Sequence, residues 1–263
     1  MGSTIAIYSL WRDSEPWAKR TLSQLEEFET LGYDFEYYFY ENDSKDSTAD
    51  ILRSWVSNRS GTFKSEVLNK KKFGRTAELG RLELLSDCRN KCKDLGSSSL
   101  SDYSLIIDSD IIFSKKTLEK SLRFLNENKK CVAVSPNVRQ NIPDYVGNRS
   151  DTSYYDIFPF KDSYGGKANA WDDCPFRNGI DRMRWFSGQA VKCNSCFGGF
   201  FLTRTEDYNR VSWSTESESE HVNFCRQLNE LGDIFIDPVN KVFTEIDLSR
   251  YNLETFKSIA RSQ

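Results

Sequence analysis

The first half of the chain alternates short apolar runs with longer segments in which apolar residues recur at helical spacing. The apolar run at 5–10 has the length of a buried strand. The next segment predicts a helix, because Ser14 can cap it, Leu22 and Leu25 share one face, and Gly32 ends it. The alternation continues to residue 138 in the order strand, helix, strand, helix, helix, strand, helix, strand.

This order of elements predicts an α/β fold. Strands that alternate with helices need crossover connections, which give a mostly parallel sheet with helices on its faces. Residues 139–192 are rich in Asp, Asn, Gly and aromatic residues and predict long loops with little regular structure. Strand and helix patterns return between residues 196 and 238. We therefore expect one domain over 1–263, with a regular half at 1–138 and a loop-rich half at 139–263.

Composition and charge narrow the class of protein. Lys and Arg number 36 against 39 Asp and Glu, so the net charge of -3 gives no basic excess for binding nucleic acid. No window holds the roughly 18 apolar residues of a membrane span, and the first residues lack a signal-peptide pattern. We expect a soluble, cytoplasmic protein, or one in the Golgi lumen if an N-terminal anchor was removed. The seven irregularly spaced Cys predict mostly reduced thiols rather than a disulfide scaffold.

Two aspartates, Asp108 and Asp110, stand at the end of an apolar run typical of a buried strand. Open parallel sheets bind ligands beyond the carboxyl ends of their strands, and the i, i+2 spacing points both side chains to one side of an extended strand. Neighbouring carboxylates disfavour each other's charged form, and a hard divalent cation removes that penalty. The pair therefore predicts a Mn²⁺ or Mg²⁺ site that holds a diphosphate, with a solvated turn as the alternative.

Four blocks of sequence carry a resemblance to a known family. They are YENDSKDST at 40–48, RLELLSDCRN at 81–90 running on to LIIDSDIIF at 105–113, SYYDIFPFKD at 153–162, and NSCFGGFFL at 194–202 with SESEHVNFC at 217–225. With a strand that ends in Asp-x-Asp about 100 residues into an α/β chain, the sequence resembles nucleotide-sugar glycosyltransferases of the GT-A fold. More finely, it is similar to the fungal capsule-associated α-1,3-mannosyltransferases; those enzymes are membrane-anchored, whereas we expect no anchor within this sequence.

The resemblance implies a GT-A (Rossmann-like) fold with a mostly parallel central sheet flanked by helices. Residues 1–138 would form the nucleotide-binding half, and 139–263 the loop-rich acceptor-side half. The implied activity is metal-dependent transfer of a hexosyl or pentosyl group from a nucleotide-sugar donor, GDP-mannose or a UDP-sugar. The acceptor would be a hydroxyl group of a glycan or glycoprotein.

Donor-binding residues are expected at the ends of the first strands, on one helix and in a glycine pair. Glu41 and Asp43 are placed to accept hydrogen bonds from a nucleobase or from ribose hydroxyls. The resemblance makes Arg81 a diphosphate contact, since a guanidinium matches phosphate oxygens in bidentate geometry. Glycine lets the backbone approach a ligand closely. The predicted donor-binding set is Tyr8, Ser9, Arg12, Glu41, Asp43, Arg81, Asp108, Ser109, Gly198 and Gly199.

The acids before the only histidine are the candidates for proton transfer. The resemblance points to Glu220 as the base, with Glu218 as second choice, and to His221 as a metal ligand or a diphosphate contact. Acids in a first helical turn also suit the helix dipole, which is a purely structural explanation. If the reaction inverts configuration, Glu220 would take the acceptor proton. If it retains configuration, Glu220 would instead position donor or acceptor.

The stretch at 171–189 is the expected sugar-contacting loop, since aromatic faces stack on sugar C–H groups and carboxylates bind hydroxyls. Its candidate side chains are Trp171, Asp172, Asp173, Trp185 and Phe186.

Two other functions stay open. A sugar-nucleotide nucleotidyltransferase would also use paired aspartates and a metal, but the segment after the first strand lacks the glycine-rich loop of that class. A non-catalytic carbohydrate-binding protein is the alternative that is not an enzyme.

Overall fold

The computed structural model describes residues 2–73, 78–141, 152–169, 172–216 and 219–244. The helices are α1 (Glu15–Phe28), α2 (Thr48–Val56), α3 (Leu79–Leu95), α4 (Lys115–Glu127), α5 (Gly179–Phe186), α6 (Thr205–Asn209) and α7 (Glu220–Asn229). The strands are β1 (Thr4–Trp11), β2 (Asp34–Asn42), β3 (Gly61–Glu66), β4 (Tyr103–Asp108), β5 (Ile111–Ile112), β6 (Cys131–Asn141), β7 (Thr152–Tyr154), β8 (Lys161–Asp162), β9 (Val191–Ser195), β10 (Phe200–Arg204) and β11 (Asp233–Thr244).

One mixed sheet joins these strands in the order β3-β2-β1-β4-β10-β6-β11-β9-β8. Parallel pairing links β3, β2, β1 and β4, and also β6 with β11. Strand β10 lies antiparallel between β4 and β6. The prediction of a mostly parallel α/β sheet flanked by helices is therefore confirmed. Because β10 is antiparallel to both of its neighbours, β4 and β6 run in the same direction. Their carboxyl ends therefore lie at the same edge of the sheet.

Several elements differ from the sequence prediction. Strand β3 was not expected, because its six residues are exposed or half-buried at the sheet edge and carry no apolar alternation. The segment 139–192 holds more regular structure than the predicted loops: the end of β6, the short strands β7 and β8, helix α5 and the start of β9. These pieces are short, and neighbouring strands rather than local sequence pattern stabilise them.

The strand that carries the aspartate pair ends earlier than expected. Strand β4 stops at Asp108, and residues 109–110 form a turn before β5, which pairs with β11. The Ser109 carbonyl accepts a hydrogen bond from Thr21 Oγ1 at 2.7 Å, and its hydroxyl lies 3.1 Å from Ser14 Oγ. Helix α1 thus holds this turn. The expected strand through Asp110 is wrong because the chain turns after Asp108, and the placement of both carboxylates on one side stays a prediction.

The core lies on both faces of the sheet, and helix α3 crosses one of them. Residues of β1 and β2 are largely buried, and Tyr8 stacks on Tyr38 with ring centroids 5.2 Å apart. On α3, the thiols of Cys88 and Cys92 and the side chain of Arg89 face the protein interior. All seven Cys are buried free thiols. Among the described residues, no helix combines the length and the apolar character needed to cross a bilayer.

Candidate active site

A glycine pair packs against the end of β4. The amide of Asp108 donates to the Gly199 carbonyl at 2.9 Å. Both glycines have positive φ, +63° for Gly198 and +67° for Gly199. A Cβ on Gly199 would lie 2.4 Å from Ile111 Cγ1, and one on Gly198 would lie 3.1 Å from the Cβ of Val138. Neither position accommodates a side chain, so the turn can approach Asp108 closely only because both residues are glycine.

Arg89 pairs with acids from two distant parts of the chain. Its Nη2 lies 3.2 Å from Asp108 Oδ1, and its Nε lies 3.8 Å from Glu220 Oε1. The side chain is only 6% exposed. The guanidinium carbon sits 4.8 Å from the ring centroid of Phe197 and 5.0 Å from that of Trp213. A buried cation held by two carboxylates and two aromatic rings fixes the acids in place.

Glu220 and His221 begin helix α7, where Ser219 caps the helix by accepting from the Val222 amide. Glu220 is 3% exposed. Burial raises the pKa of Glu220, the guanidinium groups of Arg89 and Arg81 oppose that rise, and the charge of Asp108 adds to it. The helix therefore delivers a carboxyl group that is more basic than an exposed glutamate.

The His221 ring is packed between aromatic rings. It stacks on Phe197 with centroids 3.8 Å apart, meets Trp213 edge-on at 4.9 Å, and has its Nε2 3.6 Å from Glu220 Oε1. Burial lowers the pKa of His221 well below its ordinary value, and the charges of Arg89 and Arg81 lower it further. His221 is thus a neutral imidazole in this environment.

Asp156 is a third acid in this cluster, and it was not among the site residues predicted from the sequence. Its Oδ2 accepts from the Gly198 amide at 2.7 Å. Burial raises the pKa of Asp156 to about 7; the charges of Asp108 and Glu220 add to this, while the Gly198 bond and Arg89 oppose it. The SYYDIFPFKD block contains this residue, but only the fold brings it to Gly198. A carboxyl that titrates near neutral pH is suited to general acid–base chemistry.

Asp110 and Arg81 are the remaining predicted residues of this site. Both side chains are half-buried, and the charge of Arg81 acts on both Glu220 and His221. Among the described residues, no three His, Cys, Asp or Glu side chains form a group able to hold a metal. Mg²⁺ and Mn²⁺ are commonly held by one or two carboxylates together with substrate phosphates. Two neighbouring acids match that number of carboxylates, and the metal-ligand roles of Asp108, Asp110 and His221 stay predictions.

The predicted residues of β1 lie mostly in the interior. Tyr8 is buried against Tyr38, and burial raises its pKa well above the ordinary value. The buried Ser9 hydroxyl has no hydrogen-bond partner in the described part of the chain. Arg12 donates from Nη2 to the Lys70 carbonyl at 2.6 Å. Tyr8 and Ser9 lie on β1, the strand next to β4, and Arg12 follows it; their donor-binding roles stay predictions.

The two acids after β2 already accept hydrogen bonds from their own chain. Glu41 is buried, and it accepts from the Ser44 amide at 2.7 Å and from the Ser65 hydroxyl. Asp43 has a φ of +55°, and its carboxylate accepts from the amides of residues 68, 69 and 70. Burial acts to raise the pKa of Asp43, but these bonds hold it below its usual range. Their expected contact with a nucleotide stays a prediction.

The structure thus gathers one subset of the predicted residues. Asp108, Gly198, Gly199, Glu220 and His221 lie around Arg89, with Arg81 near enough to act electrostatically. Tyr8 and Ser9 lie on β1 and Glu41 lies on the neighbouring β2, while Arg12 and Asp43 directly follow these strands. Ser109 lies in the turn held by α1. Glu218 and Trp171 lie outside the described residues.

Comparison with known proteins places this arrangement in a family. A family model described as "Glycosyl transferase family 2" matches residues 11–193. That match begins at the last residue of β1, includes the aspartate pair, Arg89 and Asp156, and ends before the glycine pair. No curated protein matches the chain in sequence.

Solved structures give the same fold. TarS 1-349 of S. aureus in complex with UDP has a TM-score of 0.56 at 12% identity, covering 94% of this chain and 62% of that chain. TarS in complex with UDP-GlcNAc has a TM-score of 0.55 at 14% identity, covering 98% and 64%. The mannosyltransferase PcManGT from Pyrobaculum calidifontis, in complex with GDP-Man and Mn²⁺, has a TM-score of 0.53 at 11% identity, covering 92% and 57%.

At these identities the likeness is one of fold, and the predicted GT-A fold is confirmed. The chain spans about three-fifths of the length of these neighbours.

Proposed function

Because the chain belongs to glycosyl transferase family 2, we propose that it transfers a sugar from a nucleotide-sugar donor to a hydroxyl group of a glycan or glycoprotein. The observation that carries this proposal is the cluster of Asp108, Asp156 and Glu220 around one buried arginine at the carboxyl end of β4. Ligands bind at such strand ends in α/β sheets. Three acids around a single guanidinium leave a negative site that a cation and a polar sugar would both suit.

The donor diphosphate would bind at the turn after β4. Asp108 and Asp110 are the proposed holders of Mn²⁺ or Mg²⁺, which when bound would neutralise negative charge on the leaving nucleoside diphosphate. Arg81 is the proposed second contact of the diphosphate, because a guanidinium binds phosphate oxygens in pairs. The close approach of Gly199 to Asp108 supports this assignment, because it leaves no side chain between the turn and the strand end.

Two carboxyl groups are candidates for the acceptor proton. Glu220 is the proposed base for an inverting reaction, and its raised pKa supports that role. Asp156 is the second candidate, with its pKa of about 7. In a retaining reaction, Glu220 would position donor or acceptor. Neutral His221 and the rings around it would exclude water from the Glu220 carboxyl group.

The donor is proposed to be GDP-mannose or a UDP-sugar, so that the group transferred is a hexosyl or pentosyl group. Similarity of fold to TarS, solved with UDP-GlcNAc, and to PcManGT, solved with GDP-Man and Mn²⁺, supports testing both classes. We further propose that residues 1–138 bind the nucleotide and that 139–263 face the acceptor.

A thermal-shift panel of nucleotide sugars, each with and without MnCl₂, tests the proposal. We expect one donor to raise the melting temperature with Mn²⁺ and the rise to disappear in Asp110→Ala. The control Asp94→Ala removes an exposed aspartate of α3 and should keep the full shift.

Two outcomes would contradict the proposal. If no nucleotide sugar is bound or hydrolysed with Mn²⁺, a non-catalytic carbohydrate-binding protein is favoured. If the protein makes nucleotide sugars from a nucleoside triphosphate and a sugar phosphate, the nucleotidyltransferase alternative is correct.

A further inference from the structure

A groove of about 320 Å³ lies between the carboxyl half of β6, helix α5 and the bulged part of β11. Its volume is at the lower end of the roughly 300–1,000 Å³ of small-molecule sites. None of the residues proposed above for donor binding or proton transfer lines it. The side chains that matter to its chemistry are Asn137, Arg139, Asp173, Trp185, Phe186 and Lys241.

Asn137 lines this groove and carries a buried hydrogen-bond acceptor. The residue is 2% exposed, and its Nδ2 donates to the Pro238 carbonyl at 3.3 Å. That bond fixes the amide orientation, because a carbonyl can only accept. The Oδ1 atom then has no hydrogen-bond partner among the described residues. An unpaired buried acceptor is costly, so the groove favours a ligand that brings a hydroxyl or N–H donor.

The other walls of the groove combine aromatic and charged groups. Trp185 is buried, while the neighbouring Phe186 is 61% exposed, an unusual position for a ring of this size. At the rim, Arg139 forms an ion pair with Asp173, and Lys241 is exposed. Apolar ring surface beside several polar groups is suited to a pyranose, which has apolar C–H faces and a rim of hydroxyl groups.

The groove adjoins the acidic cluster through one strand. Val138 of β6 lies between Asn137 and Arg139, which both line the groove. Val138 lies against Gly198, whose amide donates to Asp156. Consecutive residues of β6 thus contact Gly198 and line the groove.

We infer that this groove binds a sugar residue of the acceptor, with Phe186 packed against the sugar ring and Asn137 Oδ1 accepting from a sugar hydroxyl. The assignment to the acceptor rests on the proposed glycosyl transfer. Binding of a saccharide in the groove does not itself depend on glycosyl transfer. The groove would then hold a part of the glycan other than the nucleotide-linked sugar.

Saturation-transfer NMR and titration with methyl glycosides and disaccharides of mannose, glucose, galactose and N-acetylglucosamine test this inference. We expect at least one probe to bind, and Phe186→Ala to weaken it about five- to tenfold. Because Phe186 is exposed, we expect Phe186→Ala to fold normally. Met183→Ala is the matched control, since Met183 is on the same helix, 74% exposed and outside the groove, and should leave binding unchanged.

Lys241→Ala serves as a second variant in another wall of the groove, and it should also weaken binding of the probe. The inference is overturned if no probe binds, or if Phe186→Ala and Lys241→Ala bind the probes as the unchanged protein does.

The thermal shift with nucleotide sugars and Mn²⁺, measured on the same variants, separates the two proposals. Phe186→Ala should keep the full donor shift, because Phe186 is not part of the proposed donor site. If glycosides bind in a Phe186-dependent way while no nucleotide sugar is bound by any variant, the groove stands and the proposed transfer fails. If donors bind but glycosides do not, the groove assignment fails alone.

Discussion

Replacing Arg89 with methionine removes a cation that contacts both Asp108 and Glu220, while keeping much of the side-chain volume. Arg89 is buried, with Asp108 at 3.2 Å and Glu220 at 3.8 Å. Removing one partner of a buried ion pair leaves the other charge uncompensated, at a cost of about 3–5 kcal/mol. Asp108 is partly exposed, and Asp156 and Glu220 can take up a proton. We therefore expect Arg89→Met to lower the free energy of unfolding by about 3 kcal/mol at pH 7.5.

The loss should shrink in acid. Arg89 lowers the pKa of both Glu220 and Asp156, so without it both pKa values rise further above those of the unfolded chain. A carboxyl whose folded pKa is raised favours the folded state at low pH, and this advantage is lost as the pH rises through the folded pKa. Arg89→Met should therefore lose less stability at pH 5 than at pH 7.5.

Urea denaturation of both proteins at pH 5 and pH 7.5 measures this difference. Arg53→Met is the matched control, since Arg53 forms an exposed ion pair with Asp50, and it should lose under about 0.5 kcal/mol at either pH. The reasoning is refuted if Arg89→Met loses less than about 1 kcal/mol, or equal amounts at both pH values, because the buried pair would then not hold the acids.

Two further predictions concern the acid and the glycine next to this pair. Asp156→Asn should flatten the pH dependence of stability, because the raised pKa of about 7 makes the folded protein lose stability as the pH rises from about 4 to 7. Urea midpoints at pH 5 and pH 8 should differ less in the variant, and an unchanged difference would contradict the pKa. Gly199→Ala should lose about 2–4 kcal/mol, because φ is positive and the new Cβ would overlap Ile111. Gly165→Ala, with positive φ and open space, should lose only about 1 kcal/mol, and an equal loss in both would refute the role of the overlap.

Elements with a strong local pattern were predictable. Strands β1, β2 and β4 and helix α1 follow from apolar periodicity. Strand β3 escaped prediction because an edge strand has little buried surface and so carries no apolar signal. The turn at 109–110 escaped because hydrogen bonds from α1, about 90 residues away, end β4 at Asp108.

The candidate site divides in the same way. The Asp108–Asp110 pair, Glu220 and the glycine pair stood out because residue type and order alone mark them. Arg89 was visible only as one arginine on a helix, and Asp156 as part of a block. Their importance arises because helix α3, helix α7 and the residues around Asp156 come together at the candidate site.

The sequence by itself determined the class of fold, the order of its main strands and helices, and the types of side chain available for chemistry. Those features depend on interactions between residues close along the chain, such as apolar spacing, caps and turns. Only the tertiary structure decided which acids meet Arg89, that the Glu41 and Asp43 carboxylates are engaged by their own chain, and that Asn137 lines a groove with an unpaired oxygen. These outcomes depend on contacts between residues far apart in sequence, and local pattern does not encode such contacts.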